Sequence, residues 1–325
     1  MFGFSSASLV FPCFSAPRWR QIDFMDIEKY KAIRGGGAGF YEQPRGLIAV
    51  WGKEAVQFLD GMITNDMKTL ADGGSMLAAF PNAQGRLIAV VRVLREGERF
   101  LFETEEATRE KLFQNLFRFT FAGDFFVEDL SGNFKYFELI GPKDDVYNPG
   151  VDERFAGAYA FESPHGADYF IPNELEEEFR EFLVTENGCA DVDDELYETL
   201  RIEAGIPLYG VDMDETTIVP ELGLPEMISY TKGCYVGQEI IARIHFRGHV
   251  AKRLAGLVLE DEVTIGQELA SAEGKAAGRV ISITFSPGLK RWIALAYVRY
   301  EFLAAGTELR AGEIGAVVSD IPFDV

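Results

Sequence analysis

The segment Lys232-Gly233-Cys234-Tyr235-Val236-Gly237-Gln238-Glu239 sets a thiol two residues from a lysine and between two glycines. A cation near a cysteine favours thiolate over thiol, so the chemistry open to Cys234 is nucleophilic or redox. The plain alternative is a buried, inert cysteine, which the polar, glycine-flanked context argues against. Cys13 and Cys189 are remote, and three widely spaced cysteines form neither a disulfide framework nor a CxxC metal knuckle. That usage fits a reducing cytoplasm. His245 and His249 have the spacing of two ligands on one helix face, yet Phe246 stands where an HExxH zinc motif needs its glutamate. No third ligand is near in sequence, so no metal is expected. Gly35-Gly36-Gly37-Ala38-Gly39 lacks the GK[ST] ending of a phosphate loop and reads as a flexible connection.

Charge is distributed unevenly around these candidates. The chain has 325 residues, with 31 Lys+Arg against 52 Asp+Glu, for a formal net charge of -21. A global nucleic-acid binder would show the opposite sign. The window 174–198 sets eleven acidic residues against Arg180 alone and carries -10, which reads as a solvated helical face. Residues 230–253 invert the sign: Lys232, Arg243, Arg247, Lys252 and Arg253 oppose Glu239, a net +4. In so acidic a chain this is the natural place for an anionic ligand, with a basic face paired to the acidic helix as the alternative.

The elements that must carry these residues can be read from periodicity. GLIAVWG, MLAAF, RLIAVVRVL, RFLFETE, FFVEDL and KYFELIG have the alternation or compact apolar runs of strands. KEAVQFLDGMI and TREKLFQNLFRF have helical spacing, as do ELEEEFREFLVTE and DDELYETLRIEAG further on. After Arg253 helix signals stop, and short β-like runs between glycine turns read as a small barrel or sandwich. No window has the roughly 18 charge-free apolar residues of a membrane span, so no membrane contact is expected. Residues 1–24 hold an apolar run, SLVFPCF, with no basic stretch before it and a proline inside; they read as a disordered extension rather than a signal. The expected division is therefore 25–140, an N-terminal α+β domain; 141–250, a second α/β domain carrying the Cys234 segment; and 251–325, a C-terminal β-barrel. The first two are open to interleaving.

KGCYVGQE, with Ile240-Ile241-Ala242-Arg243 and Phe246-Arg247-Gly248 behind it, resembles the signature of the YgfZ family. These are folate-binding proteins related to the glycine-cleavage T-protein, an aminomethyltransferase. The similarity extends along the chain. Thr64-Asn65-Asp66, Arg201-Ile202-Glu203-Ala204-Gly205 with Leu208-Tyr209-Gly210, and Pro220-Glu221-Leu222-Gly223-Leu224 each resemble elements of that superfamily. The resemblance implies an α+β fold of three domains arranged as a cloverleaf around a central folate cavity, ending in the barrel. It also implies tetrahydrofolate or a derivative as cofactor. Glu203 matches the superfamily's pterin-reading glutamate, and a carboxylate suits the N–H and amino edge of a pterin. Asn65, Tyr235 and Gln238 are expected to line the cavity. Arg243 and Arg247, with Lys232, are expected to meet the anionic glutamate tail.

The resemblance also bears on activity. The T-protein's catalytic aspartate lies in a stretch like NASGGVIDDLIVY. The matching segment here is Asn82-Ala83-Gln84-Gly85-Arg86-Leu87-Ile88-Ala89-Val90-Val91, which puts Ala89 and Val90 at the two aspartate positions. Aminomethyl transfer needs a carboxylate to handle protons at the reacting amine, and neither residue supplies one. What remains is a folate binder acting in assembly or repair of iron–sulfur clusters in particular enzymes, including those that thiolate tRNA. Cys234, with Lys232 beside it, is then the functional thiol, and iron–sulfur enzymes or cluster carriers are the partners, with no direct hold on nucleic acid. The alternatives are a folate-dependent one-carbon transferase and a non-catalytic scaffold with a vestigial pocket.

Overall fold

The computed structural model describes residues 25–141, 153–163 and 166–325. The extension expected over 1–24, with Cys13, lies outside the described residues. Asp26 opens the fold as an N-cap: its carboxylate accepts from the backbone N–H groups of Glu28 and Lys29 and starts helix α1 (Ile27–Arg34). A glycine turn leads into β1 (Gly39–Glu42) and then β2 (Arg45–Trp51), α2 (Ala55–Asp60), β3 (Ser75–Pro81), β4 (Leu87–Glu96), β5 (Arg99–Glu105), α3 (Glu106–Phe117) and β6 (Phe126–Asp129). Strands β3-β4-β5-β2-β6, in that order, form an antiparallel sheet.

The chain continues through β7 (Phe134–Ile140), β8 (Tyr159–Ser163), β9 (Gly166–Pro172), α4 (Glu176–Glu181), β10 (Ala190–Asp191) and α5 (Asp194–Glu203). A second sheet has the order β10-β1-β7-β9-β8. A cut at residue 140 would divide this sheet, because β1 and β7 precede it while β8, β9 and β10 follow. The two N-terminal units are interleaved. The segment after α5 returns to the first sheet and buries Met213, Leu222, Met227, Tyr235 and Ile241 against Ala79 and Leu87. Within it lies α6 (Gln238–Arg247), ten residues between Gly237 and Gly248 with only Ile241 buried. Ile240, Ile241 and Ile244 do stand at helical spacing, a signal that went unread in the sequence. The expected C-terminal barrel is present and closed. It comprises β11 (Lys252–Leu259), β12 (Glu268–Ala270), β13 (Ala276–Ser286), β14 (Arg291–Arg299), β15 (Glu308–Ala311) and β16 (Ile314–Ser319), ordered β11-β14-β13-β12-β15-β16. Among the described residues no helix is long and apolar enough to cross a membrane.

Period-two alternation decides what these sheets present to each other. Along β4, Ala89, Val91 and Val93 turn into the core beneath α3, together with Phe100 and Phe102 of β5. Val90 and Arg92 therefore face the other way, as do Leu101, Glu103 and Glu105. The second sheet answers with Tyr136, Phe161 and Phe170, which close an apolar layer on Leu47, Ala49 and Leu101. Burying such side chains is worth about 1.5–3 kcal/mol each. At one end of this layer the apolar contacts give way to charged residues and an open space.

Candidate functional site

That space is a cavity of about 610 Å³ where both sheets, the α5 segment and the barrel meet. It falls within the roughly 300–1,000 Å³ of typical ligand pockets. The first sheet contributes Arg45, Leu77, Val90, Arg92, Glu103 and Glu105. The second contributes Tyr136, Glu138 and Asp168, and the barrel side contributes Arg253, Leu254 and Ile321. Tyr197, Leu208, Met213, Leu222 and Leu224 complete an apolar arc.

The charged wall is a buried ladder. Arg45 donates to Glu103 Oε1 at 2.6 Å, and Arg92 Nε donates to Glu103 Oε2 at 2.8 Å. Arg92 also pairs with Asp168 across the two sheets and donates to the Tyr136 hydroxyl at 3.0 Å. Burial alone would push the Glu103 carboxyl up; Arg45 and Arg92 outweigh it and hold it below the usual range. Glu138 accepts from Gln43 at 2.6 Å and from the Tyr197 hydroxyl at 3.1 Å. Paired in this way, buried charges avoid the several kcal/mol per ion that isolation would cost. Glu105 differs. Its Oε2 accepts the backbone N–H of Tyr209 at 2.9 Å, and burial pushes its pKa up, with Arg45 opposing.

The residues singled out from the sequence sit elsewhere, and among the described residues none of the eight lines the cavity. Glu203 is 1% exposed. Its Oε1 accepts from Tyr30 at 2.8 Å and from Ser286 at 2.5 Å, and its Oε2 accepts from Arg34 Nε at 3.0 Å. It clasps α1 and β13 to α5, while its neighbours Ala204 and Gly205 touch the cavity. Both oxygens of the glutamate expected to read the pterin are thus committed to donors of the protein itself. Arg201 of the same motif is also enclosed and binds Asp212, Glu198 and Ser282.

Lys232 is likewise spent internally. Its ammonium donates to the carbonyls of Asp60 at 2.7 Å, Ile63 at 3.0 Å and Asn65 at 2.5 Å, and pairs with Asp60 Oδ1 at 3.1 Å. It thereby closes the C-terminal end of α2, which is shorter than the helix expected from KEAVQFLDGMI. Burial pushes the ammonium pKa down and Asp60 opposes that. The side chain is fully shielded from solvent, and these four acceptors surround its ammonium. Asn65 donates to the carbonyls of Leu77 at 2.8 Å and Glu226 at 2.9 Å. Tyr235 is buried under the Lys232 ammonium, and its hydroxyl is pushed up to about 12 by burial. Gln238 Nε2 bonds the Gly233 carbonyl at 3.3 Å. Cys234 is exposed on the loop these contacts brace, whereas Cys189 is buried. Arg243 and Arg247 are exposed on α6. His245 stacks on Tyr230 at 3.6 Å and His249 on Tyr300 at 3.7 Å, so the two rings are directed to different neighbours.

The charged residues of the cavity wall were not singled out from the sequence. Their signal was polar residues at alternate positions inside apolar strands: Arg92 in RLIAVVRVL, and Glu103 and Glu105 in RFLFETE. A charge on a strand face that must be covered marks a buried network or a site.

Comparison with known proteins gives a consistent setting. Residues 14–146 match the family described as GCVT N-terminal domain, and residues 252–323 match the glycine cleavage T-protein C-terminal barrel domain. An aminomethyltransferase of Rubrobacter xylanophilus is 30% identical over 319 residues, covering 91% of this chain and 85% of that protein. One from Thermus thermophilus is 28% identical, covering 91% and 90%. The crystal structure of glycine cleavage system aminomethyltransferase T from Bartonella henselae superposes with a TM-score of 0.80 at 22% identity, covering 91% of this chain and 88% of that one.

Proposed function

Since the chain belongs to the glycine-cleavage T-protein superfamily, we propose that it is a tetrahydrofolate-binding member of the YgfZ type, serving iron–sulfur enzymes and not transferring aminomethyl groups. The observation that carries this reading is Val90. It faces the cavity where the T-protein pattern places an aspartate, and Ala89 turns into the core. The other shielded carboxylates Glu103, Glu138 and Asp168 are tied into the ladder.

The cavity residues suit a folate. The apolar arc and Tyr136 can cover a flat ring, while Arg253, exposed at the rim against Gly223, supplies a cation for the glutamate tail. Tetrahydrofolate, when bound, supplies a one-carbon or electron carrier. The chain's own part is to bind it, orient it and exclude water. Cys234 lies outside the cavity and is exposed, which suits a thiol that meets a partner. The chain's three cysteines, of which Cys189 is buried and Cys234 exposed, cannot supply the four ligands of a cluster, so a partner provides the rest. In this reading the compartment is the reducing cytoplasm, and any tRNA effect runs through a thiolating enzyme.

Calorimetric titration of the full chain with tetrahydrofolate tests the reading. Saturable binding is expected, with a higher melting midpoint, since a ligand at 100 Kd stabilises by about 2.7 kcal/mol. Absence of binding refutes it. Formation of methylene-tetrahydrofolate from an aminomethyl donor would establish the transferase instead. Cys234→Ser should bind folate normally yet fail to restore iron–sulfur enzyme activity in cells lacking the family member.

A further inference from the structure

We infer that Glu105 is the carboxylate that reads a paired N–H edge, as on a 2-amino-4-oxopyrimidine ring, in the central cavity. This rests on the folate reading above and assigns a residue to it. Strand register places Glu105 on the cavity face. Val91 pairs with Thr104, so the next rung sets Val90 beside Glu105, and Arg45 faces Glu105 from β2. The strand that lacks a carboxylate at Val90 thus has one supplied from its neighbour.

What distinguishes Glu105 from the other shielded cavity carboxylates is that, among the described residues, its carboxylate makes no ion pair and no hydrogen bond to a side chain. Glu103 is held by two arginines, Asp168 by Arg92, and Glu138 by Gln43 and Tyr197. Glu105 gives one oxygen to the Tyr209 N–H, which fixes the orientation of the carboxyl group. Its other oxygen, Oε1, has no hydrogen bond among the described residues. A shielded carboxylate held by a single bond keeps an acceptor for a ligand, and two adjacent N–H groups on a flat ring satisfy such an acceptor well. Burial raises the pKa of the group, so placing donors against it relieves a real desolvation cost.

The test pairs two ligands with two proteins. Tetrahydrofolate and its 2-desamino-2-methyl analogue are titrated into wild type and Glu105→Gln. Glutamine can keep its oxygen on the Tyr209 N–H, which turns its NH₂ toward the ring. The expected result is an affinity loss of about 10- to 100-fold for tetrahydrofolate, the equivalent of one hydrogen bond to a charged group. The analogue should lose much less, and the melting midpoint of the free protein should not fall. Equal weakening of both ligands would overturn the inference, since that indicates a distorted cavity. If Glu105→Gln does not fold, wild type alone decides. Equal affinity for both ligands overturns the inference, and preference for the amino-bearing one upholds it. If wild type binds neither ligand, the folate reading falls and this inference with it; if wild type binds and Glu105→Gln binds equally well, only this inference falls.

Discussion

Replacing Lys232 by methionine separates two roles for the lysine of KGCYVGQE. Methionine roughly fills the volume and removes the ammonium. In the structure three carbonyls, those of Asp60, Ile63 and Asn65, lose their shared donor, and Asp60 Oδ1 loses its ion-pair partner. Asp60 keeps Lys68 at 2.8 Å, so its charge is not stranded. Each buried carbonyl left bare costs about 1–3 kcal/mol, and removing one partner of a buried pair typically costs about 3–5 kcal/mol. Relaxation and water entry at the partly exposed turn favour the lower end, so the expected loss is about 3 kcal/mol. Urea unfolding should show it. With a slope near 3 kcal/mol/M, the midpoint falls by about 1 M at unchanged slope. Lys232→Arg should not restore stability, because a planar guanidinium cannot converge on three carbonyls as an ammonium does. Tetrahydrofolate affinity of the folded Lys232→Met protein should stay within about threefold of wild type, equivalent to less than 1 kcal/mol. A variant of normal stability that loses folate binding would refute the reasoning and return Lys232 to the ligand.

Glu203→Ala leaves Arg34, Tyr30 and Ser286 without their common acceptor and should cost about 2–4 kcal/mol in thermal or urea unfolding. It should weaken folate far less than Glu105→Gln does, and loss of binding at full stability would mark Glu203 as the reader after all. Gly237 has φ +80°, and a Cβ there would stand 2.5 Å from the Asn82 carbonyl oxygen. Gly237→Ala should therefore cost more than the roughly 1–2 kcal/mol of a left-handed backbone alone and speed hydrogen exchange across α6. Normal exchange there would contradict the contact between the Asn82 turn and this helix.

Much of the fold was legible. The strand runs between Gly46 and Ile140 became β2 to β7, and the switch to short β runs after Arg253 became a closed barrel, because alternation and glycine turns are local signals. The cut expected at 140 could not be placed from sequence. β1 joins a sheet made mostly of later strands, and such pairing depends on which edges meet. At the site, the sequence singled out chemically suggestive side chains, yet their bonding partners lay far along the chain. Glu203 is occupied by residues 173, 169 and 83 positions away, and Lys232 by carbonyls 172, 169 and 167 positions away.

By itself the sequence determined the charge asymmetry, the strand and helix periods, and the absence of a carboxylate at Val90. Tertiary structure alone decided which polar groups are spent and which remain for a ligand. A motif states what a side chain can bond; only the packed neighbours, brought together from β2, β5, β7 and the 206–213 segment, show that Glu103 is satisfied while Glu105, two residues away on the same face, keeps an oxygen for the cavity.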